Sequence, residues 1–266
     1  MKKSKDKISV LMTVCNCEVY IKDSIRSILS QTYSNLELII IDDKSNDNTV
    51  QNVKDIIDSR IKLFTLEKKL GRTKALNFGL KKCSSNFIAI QDADDISENL
   101  RLEMQINELH KNGDLGLVGA DATYIDEQGV EIFFNRERYR NRKINELKYF
   151  NFIAHSSIMF KRNNKEVKNF LYDENYFYAQ DYKMILTFLK LSKVKKIDNL
   201  LVKVRLRSKN SMSTDPNMKY LIINENLELL KFSKKTFQNN LYEKYKINLS
   251  MIKFKLKLLY LKFLNL

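Results

Sequence analysis

The chain has 266 residues, 44% of them hydrophobic and 30% charged, enough for a buried core in one large α/β domain or two small ones. A single proline and six glycines exclude collagen-like and Gly/Pro-rich disordered chains, and no run approaches the roughly 18 apolar residues that a membrane span needs. The net charge of +15 is unevenly placed: residues 1–130 carry 18 Lys and Arg against 20 Asp and Glu, residues 131–266 carry 29 against 12. The basic half should meet something anionic, whether a membrane surface, a phosphorylated substrate or nucleic acid. Three cysteines cannot complete a disulfide framework, and the basic start Met1-Lys2-Lys3-Ser4-Lys5 leads into a strand pattern with no small-residue cleavage site. Both features predict a cytoplasmic protein.

In chain order, Ile8–Val14 reads as a buried strand, followed by a helix over 19–31 with Ile21, Ile25, Ile28 and Leu29 at helical spacing. Leu36–Ile41 is a second strand that stops at Asp42-Asp43. Asn46 or Asp47 can cap a helix through Ile57, with Val50, Val53, Ile56 and Ile57 facing inward. A third strand covers 61–66, a helix 73–82, a fourth strand 87–90, a helix 98–111 and a strand 115–118. This βαβα order predicts a doubly wound sheet with helices on both faces, whose strands end along one ligand-binding edge. Both acidic clusters, Asp42-Asp43 and Asp92-Ala93-Asp94-Asp95, fall at such strand ends, so they should converge.

Beyond residue 120 the pattern changes. Asp126-Glu127-Gln128-Gly129 reads as a turn between strands 122–125 and 130–134. A strand is expected over 156–160, a helix over 180–191, an alternating strand over 200–206 and a helix over 217–232. Residues 241–266 hold six lysines and one glutamate among many apolar residues. That composition suits either an interfacial anchor on anionic lipid or a packing helix.

Closely spaced carboxylates repel unless a cation or water screens them, so Asp92-x-Asp94 suits Mg²⁺ or Mn²⁺ shared with substrate phosphates. An isolated Asp-rich loop is mostly a solvated turn or helix cap, and an isolated Asp43-type residue an ordinary helix cap. Cys15-x-Cys17 has no second pair to complete a metal site, and free thiols are expected there. His110 should lie at the surface near a helix end.

Taken together, several segments resemble a known family. These are Ile8-Ser9-Val10-Leu11-Met12-Thr13, Ser27-Ile28-Leu29-Ser30-Gln31-Thr32-Tyr33, Leu36 to Asp43, Leu70-Gly71-Arg72-Thr73-Lys74-Ala75-Leu76-Asn77-Phe78-Gly79 and the Asp92–Asp95 loop. In order and spacing they resemble family 2 glycosyltransferases of the GT-A fold, over residues 8–110 most closely and to about 213 more weakly. The resemblance implies a Rossmann-like mixed sheet, with a glycosyltransferase domain over 1–215 and a helical, basic C-terminal extension over 216–266. Within that domain, 1–120 would be the nucleotide-binding half and 121–215 the acceptor half.

It also implies residue roles. Asp43 would recognise the nucleotide base, with Thr13 close by and Arg72 facing the nucleotide. Asp94 would ligate the metal, with Asp92 nearer the ribose and sharing the ion. Asp181 matches the catalytic carboxylate, while His155 lies where the family faces the acceptor, a satisfied structural histidine being the alternative. Arg205 and Arg207 lie in a segment, Val204–Ser211, that often closes over the diphosphate. Cys15 stands where the family often has an aromatic, Lys44 where a glycine is usual and Gln180 where an acid commonly precedes the base. The chain has no Trp and no span, unlike processive synthases, which favours one sugar per encounter.

The function so implied is inverting, metal-dependent transfer of a sugar from a nucleotide diphosphate-sugar, with UDP the expected carrier. The acceptor would be a glycan or lipid-linked precursor of a surface polysaccharide, met at the inner face of the cytoplasmic membrane. Two other readings compete. A nucleic-acid-binding protein using the basic half would want a recognisable module, and no RRM, zinc-finger or basic-zipper pattern is present, so no nucleic-acid partner is expected. A sugar-nucleotide pyrophosphorylase would want a Gly-rich loop after the first strand, where this chain has Cys15-Asn16-Cys17-Glu18.

Overall fold

The computed structural model describes residues 6–132, 141–162, 167–207 and 216–263. Among them, nine strands form one mixed sheet in the order β3-β2-β1-β4-β8-β6-β9-β5, with β7 on β6. The first half alternates strands and helices: β1 (Ile8–Val14), α1 (Ile21–Leu29), β2 (Leu36–Asp42), α2 (Thr49–Lys54), β3 (Ile61–Thr65), α3 (Arg72–Lys82) and β4 (Phe87–Asp92). β3, β2, β1 and β4 are mutually parallel, as crossover helices require.

Alternate residues of each central strand feed two cores. Ile8, Val10 and Met12 of β1 join Leu38 and Ile40 of β2 beneath Ile21, Ile25 and Ile28 of α1 and Leu102, Ile106 and Leu109 of α4 (Arg101–Lys111). Leu11, Ile39, Ile41, Ile88 and Ile90 face the other way, against Ala75, Leu76 and Leu80 of α3 and Ile185 and Phe188 of α5 (Gln180–Leu191). Near-continuous apolar runs are what a sheet buried on both faces demands. Gly79 sets how closely α3 approaches: a Cβ there would stand 2.3 Å from Leu11 Cδ1.

The second half is less regular. The two-residue β5 (Ile96–Ser97) pairs antiparallel with β9 (Lys193–Arg205), which runs parallel to β6 (Leu115–Ile125). β8 (Met159–Lys161) inserts antiparallel between β4 and β6, so β6 does not continue the parallel set directly. β6 is one strand across both the 115–118 and 122–125 segments, and β7 (Glu131–Ile132) folds back on its end through the 126–129 turn, where Gly129 has φ 88°. Positions 133 and 134 of the expected hairpin lie outside the described residues.

Three expectations need correction. The strand expected from Ser156 begins only at Met159, because His155–Ser157 form a 3-10 turn in which the Ser157 hydroxyl donates to the Ala154 carbonyl at 2.8 Å. Ile57 is 99% exposed, since α2 stops at Lys54 and its helical period never reaches that position. The strand expected at 200–206 starts at Lys193, its lysines having masked the buried Val194 and Ile197.

The C-terminal helices α6 (Pro216–Thr236) and α7 (Leu241–Phe263) pack on this body. Leu229 of α6 joins Ala179, Tyr182 and Leu186 of α5. Asn240 and Glu243 exchange hydrogen bonds at the start of α7 (3.1 and 2.8 Å), a capping box, while Glu243 also pairs with Lys148 at 3.0 Å.

Candidate functional site

β1 lies between β2 and β4, with Val14 opposite Asp42 and Thr13 opposite Asp92. The two acidic loops therefore leave the sheet on either side of the half-buried Thr13. Strand order alone brings them together.

The first loop is held by backbone groups. Asp42 accepts from Ser45 N–H through both oxygens at 3.3 Å. Asp43 Oδ1 accepts from Leu70 N–H at 2.6 Å and its Oδ2 from Gly71 N–H at 2.9 Å, tying the loop to the start of α3. Each oxygen retains a further lone pair for a ligand. Lys44 takes φ 63°, the left-handed region that suits glycine, at the very position where the family usually has one. Gly71 itself has φ 86° and so aims Arg72 from the first turn of α3.

The second loop is managed by side-chain cations. Arg72 Nη2 donates to Asp92 Oδ1 at 2.5 Å and lies 3.0 Å from His155 Nδ1, which is itself 3.3 Å from the same carboxylate oxygen. Burial would raise the Asp92 carboxyl, but the Arg72 charge and the contact with His155 outweigh it and hold it well below the usual carboxylate range. Asp94 is pushed the other way, by burial and by the Asp92 charge, with Arg207 3.5 Å away giving partial relief. Burial and both neighbours push Asp95 up further. It accepts from Ser156 Oγ and, at 2.8 Å, from the Arg205 N–H, and so anchors the loop from below.

Arg205, expected at the diphosphate, is engaged elsewhere. Its guanidinium donates to the carbonyls of Asp94 (3.0 Å), Asp126 (2.8 Å) and Glu127 (3.0 Å) and stacks on Tyr20. Arg207 is the cation that faces Asp94. From residue 208 onward, the expected closing segment lies outside the described residues.

Asp181 stands in the first turn of α5, near enough for the charges of His155, Arg72 and Asp92 to act on it. Burial raises its carboxyl above the ordinary range, offset in part by His155, the Tyr182 N–H and Arg72. Asn151 Nδ2 donates to its Oδ2 at 3.2 Å. Nearby, His155 Nε2 lies 2.9 Å from the Tyr172 hydroxyl. With its amide oriented to satisfy its neighbours, Gln180 accepts from Arg72 Nε at 3.0 Å. Arg72, Asp92, Asp94, His155, Asp181 and Arg207 thus share one edge, with Thr13 and Asp43 beside them. His110 is partly exposed at a helix end, and the three cysteines are free thiols.

Among the described residues, no group of three or more His, Cys, Asp or Glu forms a metal cage. Two carboxylates, one of them pushed up by burial and by its neighbour's charge, fit a hard divalent ion that takes its remaining ligands from substrate phosphates and water. The donor set suits Mg²⁺ or Mn²⁺ and not a closed structural site.

Two residues at the site were not anticipated. Arg101 is fully buried under the Asp92–Asp95 loop, bonded to Gln91, Ser97 and the Ile90 carbonyl, and burial pulls it down to about 9. Glu225 of α6 accepts from the N–H groups of Phe177, Tyr178 and Ala179 (2.8, 2.9 and 2.8 Å), capping the helix that carries Asp181. Glu225 is not visible locally, since it acts across 46 to 48 residues, while Arg101 works over short separations but reads in sequence as an ordinary surface base of α4.

Comparisons with known proteins point the same way. Residues 9–187 match the family model described as Glycosyl transferase family 2. The O-antigen biosynthesis glycosyltransferase WbnJ of Escherichia coli is 36% identical over 223 residues, 79% of this chain and 83% of that protein. The UDP-Glc:alpha-D-GlcNAc-diphosphoundecaprenol beta-1,3-glucosyltransferase WfgD of Escherichia coli is 48% identical over 105 residues, 40% of this chain and 42% of that protein. In three dimensions, the mannosyltransferase PcManGT of Pyrobaculum calidifontis, solved with GDP-Man and Mn²⁺, aligns over 93% of this chain and 70% of its own with a TM-score of 0.70 at 13% identity, a likeness of fold. The chain belongs to glycosyl transferase family 2, on a GT-A-type mixed sheet, and is a glycosyltransferase.

Proposed function

We propose that the enzyme transfers a sugar, with inversion, from a UDP-sugar to a hydroxyl of a glycan or lipid-linked acceptor in surface-polysaccharide synthesis. One observation carries this reading: at a single sheet edge, Asp92 and Asp94 face the Arg72 and Arg207 guanidinium groups (2.5 and 3.5 Å), with Asp181 in the first turn of α5 nearby. There Asp92 is pushed down, against its burial, by Arg72, and burial pushes Asp94 and Asp181 up. Carboxylates driven apart in this way suit different tasks. The O-antigen role of WbnJ, and the UDP-Glc donor and diphosphoundecaprenol acceptor of WfgD, support the polysaccharide setting, the UDP donor and the lipid-linked acceptor.

In this reading Asp43 and Thr13 hold the nucleotide, and Arg72 and Arg207 meet the diphosphate. Asp94 and Asp92 would hold Mg²⁺ or Mn²⁺, which supplies charge neutralisation at the leaving diphosphate when bound. Asp181 takes the proton from the acceptor hydroxyl as the new bond forms on the face opposite the leaving group. His155 orients Arg72 against Asp92 and borders the acceptor side. Residues 1–215 would form the transferase body and 216–266 an extension, working at the inner face of the cytoplasmic membrane.

The test is a screen of nucleotide-sugar turnover, with the anomeric configuration of the product determined and chelator then added. Calorimetry should show UDP bound more tightly than GDP or ADP. Chelation should stop turnover and Mn²⁺ restore it. A retained configuration would remove Asp181 as the base, and tighter GDP binding would remove UDP as the carrier.

A further inference from the structure

Helix α7 presents two unlike faces. Ile247 is fully buried against the body, and Met251, Phe254, Leu258 and Leu261 are half-buried on the same side, toward α6. On the opposite side Tyr242, Tyr245, Leu249, Ile252, Leu256 and Leu259 follow one another in alternating three- and four-residue steps, the spacing of a single helical stripe. All but Leu249 are more than half exposed, as are Leu241 and Tyr260 beside them. Lysines line both flanks: Lys246, Lys253 and Lys257 along one, Lys244 and Lys255 along the other. In the linear sequence these lysines fall on no single helical face. In the fold they frame the stripe.

We propose that α7 docks the protein in the plane of an anionic phospholipid bilayer, its stripe seated among the headgroups and its lysines on lipid phosphates. Charge decides between this partner and a second copy of the chain. Glu243 is the sole acidic residue in 241–263, and it is buried on Lys148 and Asn240. Two copies meeting through the stripe would bring lysines together with no acid to separate them, whereas lipid phosphates complement both rows. Long lysine side chains can lie along apolar surface while their charges reach the phosphates. No helix among the described residues is long and apolar enough to cross a membrane, so α7 lies on the bilayer. The purpose of docking, access to a lipid-linked acceptor, rests on the proposed function. The docking itself does not.

Flotation of the purified full chain with vesicles tests it, without any sugar. Phosphatidylcholine vesicles containing phosphatidylglycerol should carry the protein upward, and phosphatidylcholine alone should not. Lys253→Glu with Lys257→Glu should weaken partition by ten-fold or more, given about five-fold per lysine, and added salt should weaken the wild type similarly. Ile252→Ser with Leu256→Ser and Leu259→Ser should abolish flotation even at low salt while leaving the unfolding midpoint and UDP binding unchanged, because these side chains face outward. Wild-type protein that ignores anionic vesicles would overturn the proposal, as would full flotation of the serine variant. So would a dimer that the serine substitutions dissolve.

Discussion

Two acidic loops leave the same sheet edge on either side of β1, and they manage their charge in opposite ways. The Asp42-Asp43 loop spends its carboxylates on backbone N–H groups, so it orders the chain and fixes where α3 begins. The Asp92–Asp95 loop is set against Arg72, His155 and Arg207, and its members are driven to different protonation tendencies. Similar composition thus yields a scaffold in one place and a charge-separated site in the other. What differs is the partner: dipoles that close a turn, or side-chain cations that a ligand can compete for.

If that division holds, substitutions on the cation-managed side should cost catalysis and leave folding intact. Asp181→Asn should lower kcat by about 10²–10⁴-fold with UDP affinity unchanged, the scale of general-base loss. Burial raises Asp181, and a base works only when unprotonated. The wild-type rate should therefore be full at high pH and fall as pH drops through a value above the ordinary carboxylate pKa of about 4. An acid limb unchanged in position by Asn would assign it to another group. Asp94→Asn comes next: a fall of about 10²–10³-fold in kcat, with more Mn²⁺ needed for half-activation, read in a metal titration.

The scaffold side should respond through binding. Asp43→Ala frees the Leu70 and Gly71 N–H groups as well as removing the proposed contact to the base, so UDP affinity should fall by roughly ten-fold or more while kcat at saturation changes less. Glu225→Gln sharpens the comparison from a distance. It weakens the cap on the helix bearing Asp181, and kcat should fall by about ten-fold with UDP affinity untouched. Equal losses in kcat and UDP affinity would mean that α6 supports the whole edge.

The sequence carried the first half of this architecture because each of its elements is local. Val10, Leu38 and Ile90 lie in unbroken apolar runs, and Asp43 and Asp92 sit where those runs stop. Arg72 was singled out only by the resemblance that the segment Leu70 to Gly79 carries. The site's control was not: Asp92 is set by His155, 63 residues away, and Asp95 by the Arg205 N–H, 110 away. Such contacts have no periodicity to betray them. Arg205 shows why, because a basic residue near such a loop reads alike whether its guanidinium meets a ligand or, as in this fold, three carbonyls.

A carboxylate far from both loops gives the smallest expected effect on activity and a control for the rest. Glu37 lies at the other end of β2, where it accepts from Ser9 Oγ (2.6 Å), Ser84 N–H (2.8 Å) and the Lys62 and Lys7 ammonium groups (2.7 and 2.9 Å). Burial would raise its carboxyl, but Lys62, Ser9, Lys7 and Ser84 together hold it far below the usual range. The unfolded chain, with a Glu pKa of about 4.3, then binds more protons than the native state as the solution is acidified. The stabilisation is therefore complete above that value and drains away as pH falls below it. Glu37→Gln should cost about 1–3 kcal/mol of stability at neutral pH, read by urea unfolding, and the gap between the two proteins should narrow progressively as pH falls below about 4. Both lysines are more than a third exposed, so salt should remove part of the difference. Turnover at saturating donor should match wild type, because Glu37 sits at the opposite edge from Asp92 and Asp181. A stability gap that persisted unchanged into acid would trace the loss to packing around the amide and not to the charge.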